Sequence, residues 1–363
     1  MQWIGLMVWH SECIETSMHF LQEREHKMKR MIAILTIVLS IGTSLHAAEY
    51  KVKTRYPIAG TEGWDYIAVD SAARRLYVSH SIRVNVLNAD TGAAIGTIED
   101  TPGVHGVAIA SRFKHGFTSN GKEDKVSMFD TSTLAVIKKI EVGKGPDGIY
   151  CDEASQRIFT NNHGSHNITA IDGKSGAVVG TVEIGGNGEG AVTGKDGLVY
   201  VALEDKNEIA AFDPKTLEVK RHLPLENITA PTGLAVDVKN DRLFVGGHNK
   251  TMAIINVASG KQVASFPTGS GTDAAGFDAL TRRIFISNGE GNLTVIQQHS
   301  ADEYTPDESV VTQPSAKTMA FDKKTGQVFL SAATVTNIPA TEPGKKPTKV
   351  IAEGSFCVLV VGK

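Results

Sequence analysis

Short alternating runs of apolar and polar residues recur along most of the chain. In the stretch 125–162, KVSMFDTSTLAVIKKIEVGKGPDGIYCDEASQRIFTNN, four such runs are separated by turns rich in Gly, Pro, Asp and Asn. Alternation over four to eight residues between turn signals is typical of a half-buried β-strand. No window beyond residue 48 shows a helical period, so the pattern predicts an all-β protein.

An aromatic residue marks the same position in seven successive repeats, at spacings of 40 to 44 residues: Tyr77, Phe117, Phe159, Tyr200, Phe244, Phe285 and Phe329. A polar residue at the end of the third predicted strand keeps the same step: Asn88, Asp130, Asp172, Asp213, Asn256 and Gln297. Four-stranded units of about 42 residues have the length of propeller blades. The sequence therefore predicts a seven-bladed β-propeller of four-stranded blades.

The last repeat lacks a fourth strand, and an unassigned strand at 50–57 precedes the first repeat. We expect this N-terminal strand to complete the last blade and close the ring, which protects the strand edges. An open solenoid is the alternative. The prediction is one propeller domain over 48–363, with an insertion loop at 337–354. This loop is rich in Pro and Lys, and it either covers the channel, grips an acidic partner or is disordered.

The N-terminus has the three-part layout of a secretory signal peptide. Basic residues at 27–30 precede an apolar run at 31–41 and small residues up to Ala48. The apolar run is shorter than the roughly 20 residues that span a bilayer, although a membrane anchor is the alternative. We predict a signal peptide at 1–47, with 1–27 as an extension from a misassigned start. The mature protein is then periplasmic or secreted and has no transmembrane segment.

The net charge of −3 gives no general attraction to nucleic acid or to anionic membranes. Two cysteines follow the predicted leader, Cys151 in the third repeat and Cys357 in the seventh. Those blades lie nearly opposite each other in the ring, far beyond the roughly 7 Å limit for a disulfide. We therefore expect two buried free thiols.

The stretch 126–162 is similar to the repeat of the YVTN-type β-propeller family, the YncE-like exported proteins. The matching features are the strand that ends in Asp130, the Thr131–Thr133 turn, a Val-Gly before a Gly-Pro pair, and the closing aromatic-x-Asn. The resemblance covers about residues 50 to 363 and implies the fold and export. Its motif consists of turn and core residues, so it does not imply a chemistry.

Propeller geometry brings the loops that enter the innermost strands to one mouth of the channel. We expect these loops to form a ligand-binding funnel from Asp65, His105, Asp147, Glu189, Thr232, Asp273 and Lys317. Four carboxylates, a histidine and a lysine suit a cation, an amine or a divalent metal. The alternative is that the acids cap strand amides and bind water.

The loops between the second and third strands carry histidines on the same face: His80, His163, His166 and His248. Three of them, His163, His166 and His248, are candidate ligands for a divalent metal, with His105 nearby. The alternative is a set of solvated turn histidines, because no established metal-binding signature is present. The Gly-rich stretches 185–190 and 287–292 open no helix and are interpreted as turns.

These features favour an exported binding or interaction protein with no evident catalysis and no required cofactor. Its ligand is expected to be a small molecule, a peptide or a partner protein at the funnel mouth, and the protein a monomer. Nucleic acid is not an expected ligand, since the funnel is acidic and lacks aromatic residues. The alternative is a lactonase-like hydrolase or a metal-dependent redox accessory enzyme. That alternative needs the funnel carboxylates and His105 to converge within about 3 Å of one point.

Overall fold

Seven four-stranded antiparallel sheets follow one another around a ring in the computed structural model, which describes residues 49–338 and 348–363. The innermost strand of each sheet lies beside the innermost strands of the two neighbouring sheets, so that these strands surround a central channel. The structure therefore confirms the seven-bladed propeller. The predicted signal peptide at 1–47, with its extension 1–27, lies outside the described residues.

The strands are numbered in chain order, and the first belongs to the last blade. The bounds up to blade 3 are β1 (Lys51–Pro57); blade 1, β2 (Ile67–Asp70), β3 (Arg75–His80), β4 (Arg83–Asn88) and β5 (Ala94–Ile98); blade 2, β6 (Val104–Ala110), β7 (His115–Asn120), β8 (Lys125–Asp130) and β9 (Val136–Glu141); blade 3, β10 (Pro146–Asp152), β11 (Arg157–Asn162), β12 (Asn167–Asp172) and β13 (Val178–Val182). A single 3₁₀ turn, Ser111–Phe113, is the helical element of the described residues.

The next three blades repeat this order. Their bounds are, for blade 4, β14 (Gly188–Thr193), β15 (Val199–Leu203), β16 (Glu208–Phe212) and β17 (Val219–Pro224); for blade 5, β18 (Pro231–Asp237), β19 (Arg242–Gly247), β20 (Thr251–Asn256) and β21 (Gln262–Pro267); for blade 6, β22 (Thr272–Asp278), β23 (Arg283–Asn288), β24 (Asn292–Gln298) and β25 (Tyr304–Val311). Blade 7 has β26 (Met319–Asp322) and β27 (Gln327–Ala332), the short hairpin strands β28 (Val335–Ile338) and β29 (Thr348–Ile351), and then β30 (Cys357–Gly362).

Blade 7 is completed by the N-terminal strand, as predicted. Its order is β26–β27–β30–β1, and β1 pairs antiparallel with β30 from Lys51 opposite Gly362 to Pro57 opposite Cys357. The Tyr56 hydroxyl donates to the carbonyl oxygens of Ala89 and Asp90 in blade 1, at 3.3 and 3.0 Å. The closing strand therefore also ties the last blade to the first.

The seven repeated aromatic residues all lie on the second strand of a blade, and each is at most 1% exposed. They fill the space between neighbouring sheets, as Phe159 does against Phe212 at a ring separation of 5.0 Å. Five of the six polar markers of the repeat are turn caps, whereas Gln297 donates to the carbonyl oxygens of Thr281 and Arg282. Asp130, for example, accepts from the backbone N–H groups of Ser132 and Thr133, both at 2.8 Å. Such side-chain-to-backbone bonds fix the turn and set the register of the strands that it joins.

Both cysteines of the described chain are free, as expected from their blades. Cys357 on β30 is buried, whereas Cys151 on the innermost strand β10 is only half-buried, so the expectation of two buried thiols is half right. Burial raises the pKa of the Cys151 thiol to about 12. In the part of the chain that the structure describes, no helix is both long and apolar enough to cross a membrane.

Candidate functional site

The seven predicted funnel residues occupy equivalent positions at the entrance to the innermost strands. Five are the second residue of such a strand: His105, Asp147, Glu189, Thr232 and Asp273. The other two, Asp65 and Lys317, stand two residues before β2 and β26. The structure thus places all seven around one opening of the ring, which we call the mouth.

Side chains of neighbouring blades hold the backbone of the mouth. Ser119 of blade 2 donates to the carbonyl oxygen of Asp147, and Asn161 of blade 3 donates to that of Glu189 at 2.7 Å. In the same way Thr318 donates to the carbonyl oxygen of Asp65 at 2.7 Å. The backbones of Asp65, Asp147 and Glu189 are therefore held by hydrogen bonds from neighbouring side chains, which favours a preorganised site. In the sequence, Ser119 and Asn161 are the small polar residues just before the last Asn of "TSN" and "TNN", and this position could have indicated their role.

Five of the seven residues join a chain of alternating charges: Asp273, Lys317, Asp65, His105 and Asp147. Lys317 Nζ lies 3.3 Å from Asp65 Oδ1 and also donates to Asp273. His105 Nδ1 lies 2.7 Å from Asp65 Oδ2 and 3.6 Å from Asp147 Oδ1. The residues therefore connect neighbour to neighbour around the mouth, and they do not converge on a single point.

Thr232 does not belong to this network. Its side chain is 2% exposed and its hydroxyl donates to the carbonyl oxygen of Thr272 at 2.8 Å. In blade 5 the equivalent position therefore serves to hold the neighbouring strand.

The network continues through His163, which lies in the turn between β11 and β12. Its Nε2 lies 2.9 Å from the carbonyl oxygen of Gly188 and 3.4 Å from Glu189 Oε1. Its Nδ1 faces Asp147 Oδ2 at 3.6 Å. Over residues 49–338 and 348–363, two groups of three side chains bring potential metal-ligating atoms within 4.8 Å of one another: Asp65, His105 and Asp147; and Asp147, His163 and Glu189.

The other predicted metal ligands lie elsewhere. His166 and His248 are exposed and belong to neither group, and His248 Nδ1 is 3.9 Å from Glu204 Oε1. His80 is fully buried at the end of β3, with Nδ1 2.9 Å from Asn85 Oδ1 and its ring 4.6 Å from that of Phe356. The prediction that His80 lies in a loop is therefore wrong. Strand β3 includes His80, although the alternation of apolar and polar residues suggested an earlier end of the strand.

Tyr66 is a member of the site that the sequence did not single out. It follows Asp65 in blade 1, and its hydroxyl donates to Glu189 in blade 4, across the channel. Beneath this contact lies a cavity of about 260 Å³ between the innermost strands, lined in part by Tyr66, Gly148 and Glu189. Tyr66 thus bridges the channel at the level of the mouth. No local pattern distinguishes it from a core aromatic residue.

Burial is the largest influence on the pKa of each of the four mouth carboxyl groups, and it disfavours their charged forms. It raises the pKa of Asp273 against the opposing charge of Lys317. For Asp65 it is outweighed by the hydrogen bond with His105 and the charge of Lys317, so the pKa lies below its ordinary value. Burial raises the pKa of Asp147 against the smaller opposing effect of His105. Burial and the charge of Asp147 raise the pKa of Glu189 well above its ordinary value.

The two cations of the network respond in the opposite sense. Burial would lower the pKa of His105, but the hydrogen bond with Asp65 and the charge of Asp147 outweigh it and raise the pKa. The pKa of Lys317 is likewise raised, because Asp273 and Asp65 outweigh burial. Positive charge is therefore retained beside Asp65 and Asp273. Among the described mouth residues, Asp147 and Glu189 contact only histidines as cationic partners within 4.0 Å.

Replacing Glu189 by Gln should stabilise the protein at alkaline pH. The folded pKa of Glu189 is raised, so the wild type loses stability as pH rises from about 4.5 towards that pKa. The amide removes this titration and keeps an oxygen that accepts from Tyr66. We expect the Tm of Glu189→Gln to match the wild type near pH 4 and to exceed it by about 2 °C or more at pH 8, measured by calorimetry.

The control for this experiment is Glu183→Gln, which changes an exposed carboxylate just after β13. Its Tm should stay within about a degree of the wild type at pH 8, because the side chain is exposed. A Glu189→Gln difference that does not grow with pH would contradict the assignment of a raised pKa.

A larger cleft opens beside the mouth, with a volume of about 580 Å³. The hairpin β28–β29 forms one wall, with Val335 opposite Ile351 and Asn337 opposite Lys349 in its register. These four residues share the face that lines the cleft, since alternate residues of a strand point to the same side. The remaining lining residues are Thr61, Gly63, Trp64, Gly271, Gly289, Pro314, Ser315 and Lys317.

The cleft combines an apolar surface with two lysines. The Trp64 ring lies 5.3 Å from that of Phe356, which fixes the indole against the hydrophobic core between blades 7 and 1. Lys317 also belongs to the mouth network, so the cleft and the mouth are continuous. The hairpin occupies part of the predicted insertion 337–354, and residues 339–347 lie outside the described residues.

Many solved structures share the fold. One titled "Crystal Structure of Mitotic Checkpoint Complex" has a TM-score of 0.70 and 14% identity, over 85% of this chain and 94% of that chain. Hydrazine synthase of Kuenenia stuttgartiensis gives 0.65 and 15%, over 79% and 95%. U3-55K gives 0.69 and 7%, over 86% and 98%. At these identities the likeness shows the fold alone.

Comparison of the sequence with curated proteins and with family models gives more specific information than the fold. No curated protein matches the chain. The family model described as "Outer membrane protein assembly factor BamB" matches residues 81–329. This range runs from the end of β3 in blade 1 to β27 in blade 7 and covers more than half of the chain. The protein therefore belongs to the β-propeller family described as outer membrane protein assembly factor BamB.

Proposed function

We propose that this protein is an exported interaction propeller that docks an extended segment of a partner protein in the cleft beside the mouth. The observation that carries the proposal is the 580 Å³ cleft, which the β28–β29 hairpin walls on one side. Binding sites are typically concave, mostly apolar and supplied with a few placed polar groups. This cleft has those properties.

The chemistry of the cleft favours an acidic and apolar segment. Trp64, Val335 and Ile351 offer an apolar surface, and Lys349 on the hairpin adds a positive charge, whereas the Lys317 ammonium is already paired with Asp65 and Asp273. A carboxylate of the partner would pair with Lys349 while a neighbouring apolar side chain enters the cleft. Glycines at positions 63, 271 and 289 leave room for the backbone of an extended segment to approach closely.

Export is part of this proposal. The predicted leader at 1–47 and the similarity of the repeat to the YVTN-type exported proteins support it. Membership of a family whose description names outer membrane protein assembly supports a partner in the bacterial cell envelope. N-terminal sequencing of the protein recovered from the periplasm should give a start at residue 48 or 49.

Selection from a random peptide library displayed on phage tests the docking site. With the full-length protein as target, we expect enrichment of peptides that combine Asp or Glu with aromatic or aliphatic residues. The double variant Trp64→Ala, Lys349→Ala should bind the selected peptides at least about tenfold more weakly, as measured by fluorescence anisotropy.

Lys323→Ala provides the matched control. This lysine is exposed in the turn between β26 and β27, which opens on the face opposite the mouth. It should leave peptide affinity unchanged. Selected peptides that bind the double variant as tightly as the wild type would refute docking in the cleft.

A further inference from the structure

We propose that Asp147, His163 and Glu189 form a binding site for a divalent transition-metal ion such as Zn²⁺. We call these three residues the His163 corner. They lie at the mouth, where β10, β14 and the turn after β11 meet. The metal site is independent of partner docking, since none of its three residues lines the cleft.

The spacing of the donor atoms suits one ion. One donor atom from each side chain lies within 4.8 Å of the other two. His163 Nδ1 and Asp147 Oδ2 are 3.6 Å apart, which is too long for a hydrogen bond. Two ligands at about 2.1 Å from a tetrahedral zinc ion are roughly 3.4 Å apart. This pair therefore needs only a small movement to share a metal.

The protonation of the imidazole also fits a metal ligand. His163 Nε2 lies 2.9 Å from the carbonyl oxygen of Gly188, which can only accept, so Nε2 carries the proton. In the neutral ring Nδ1 then has a free lone pair directed at the Asp147 carboxylate, and both atoms are acceptors. A metal-ligating histidine usually donates its other N–H to a backbone carbonyl or a carboxylate in this manner.

Hydrogen bonds from neighbouring residues hold two of the proposed ligands, Asp147 and Glu189, in place. The Tyr66 hydroxyl donates to Oε2 of Glu189, and Oε1 lies 3.4 Å from His163 Nε2, so this carboxylate has to turn towards Nδ1 when it joins the ion. Ser119 and Asn161 fix the backbone of Asp147 and Glu189. Such a rigid set of outer contacts lowers the cost of ordering the ligands when the ion binds.

The charges of the mouth single out this corner. Lys317 pairs with Asp65 and Asp273, and His105 lies between Asp65 and Asp147, whereas Glu189 makes no ion pair with a lysine or arginine among the described residues. An imidazole with two carboxylates suits zinc or a similar first-row ion, because Ca²⁺ requires six to eight oxygen ligands. Three protein ligands would leave one position on the metal for water or another donor.

Zinc titration of the full-length protein tests the site, with the metal salt alone as the probe. The protein is stripped with a chelator and titrated at pH 7.5 against a competing fluorescent zinc indicator. We expect one zinc ion per chain, and a loss of affinity of at least about 100-fold in His163→Ala. His166→Ala is the matched control, because His166 is exposed in the same turn and belongs to no ligand group. It should bind as the wild type does.

Asp147→Asn gives a second variant that keeps the size of the side chain, and it should also bind at least tenfold more weakly. Trp64→Ala should bind zinc normally, which separates this site from the docking cleft. Absence of zinc uptake by the wild type would overturn the proposal. So would equal affinities in His163→Ala and the wild type, or an equal loss in His166→Ala.

Discussion

Deletion of residues 49–57, which removes β1, should abolish the stable ring. This strand provides the fourth strand of blade 7, and Tyr50 packs on Phe285 of blade 6 at a ring separation of 5.3 Å. Without it, the apolar side chains of β30 and its backbone edge become exposed. We expect the melting temperature to fall by at least roughly 15 °C, or the protein to aggregate, when the deleted chain is compared with the wild type by calorimetry.

A rescue experiment separates loss of this strand from a general effect of truncation. A synthetic peptide of residues 49–58, added to the deleted protein, should restore part of the lost stability because its register on β30 runs from Lys51 to Pro57. The control Lys51→Ala changes an exposed side chain of the same strand and should leave the melting temperature within about a degree. A deleted chain that melts like the wild type would show that β1 does not close the ring.

Replacement of Phe244 by Ala should destabilise the protein by about 3–5 kcal/mol. The Phe244 side chain is 0% exposed and lies 5.0 Å from the ring of Phe277 and 6.3 Å from that of Tyr304. These rings belong to blades 5 and 6, so the substitution opens a cavity between two blades. The shift should appear in the midpoint of denaturant unfolding.

The matched control for this substitution is Leu280→Ala in blade 6. Leu280 is 91% exposed, and its truncation should change stability by less than about 0.5 kcal/mol. If Phe244→Ala costs no more than this control, the repeated aromatic residues do not hold neighbouring blades together.

The sequence predicts the fold of this protein well because each blade solves the same packing problem. A buried aromatic residue on the second strand and a capped turn recur in every copy, so seven weak signals reinforce one another. The least accurate expectations concern single residues. His80 is buried at the end of β3 and Cys151 is only half-buried, because the alternation of residues fixes neither the last residue of a strand nor how fully its neighbours cover one side chain.

The candidate site could be predicted in its position and not in its connections. Register alone places Asp65, His105, Asp147 and Glu189 at one mouth. Which groups meet depends on side-chain directions across the ring, as in the contact between Tyr66 and Glu189, 123 residues apart. His163 and His166 show the same limit, since two histidines three residues apart in one turn have different surroundings. The β28–β29 hairpin that walls the cleft could not be predicted from the sequence either. Its strands have only four residues each and are separated by a long loop, so they give little periodic signal.

The antiparallel pairing of β1 with β30 has a mechanical consequence. The start of β1 lies opposite the end of β30, with Lys51 beside Gly362, so residue 50 and residue 363 leave the ring at the same edge and end of blade 7. A force that pulls these two points apart loads the ladder from one end and breaks its hydrogen bonds one after another. The ring should therefore open by unzipping at low force, whereas the strands inside each blade bear no direct load.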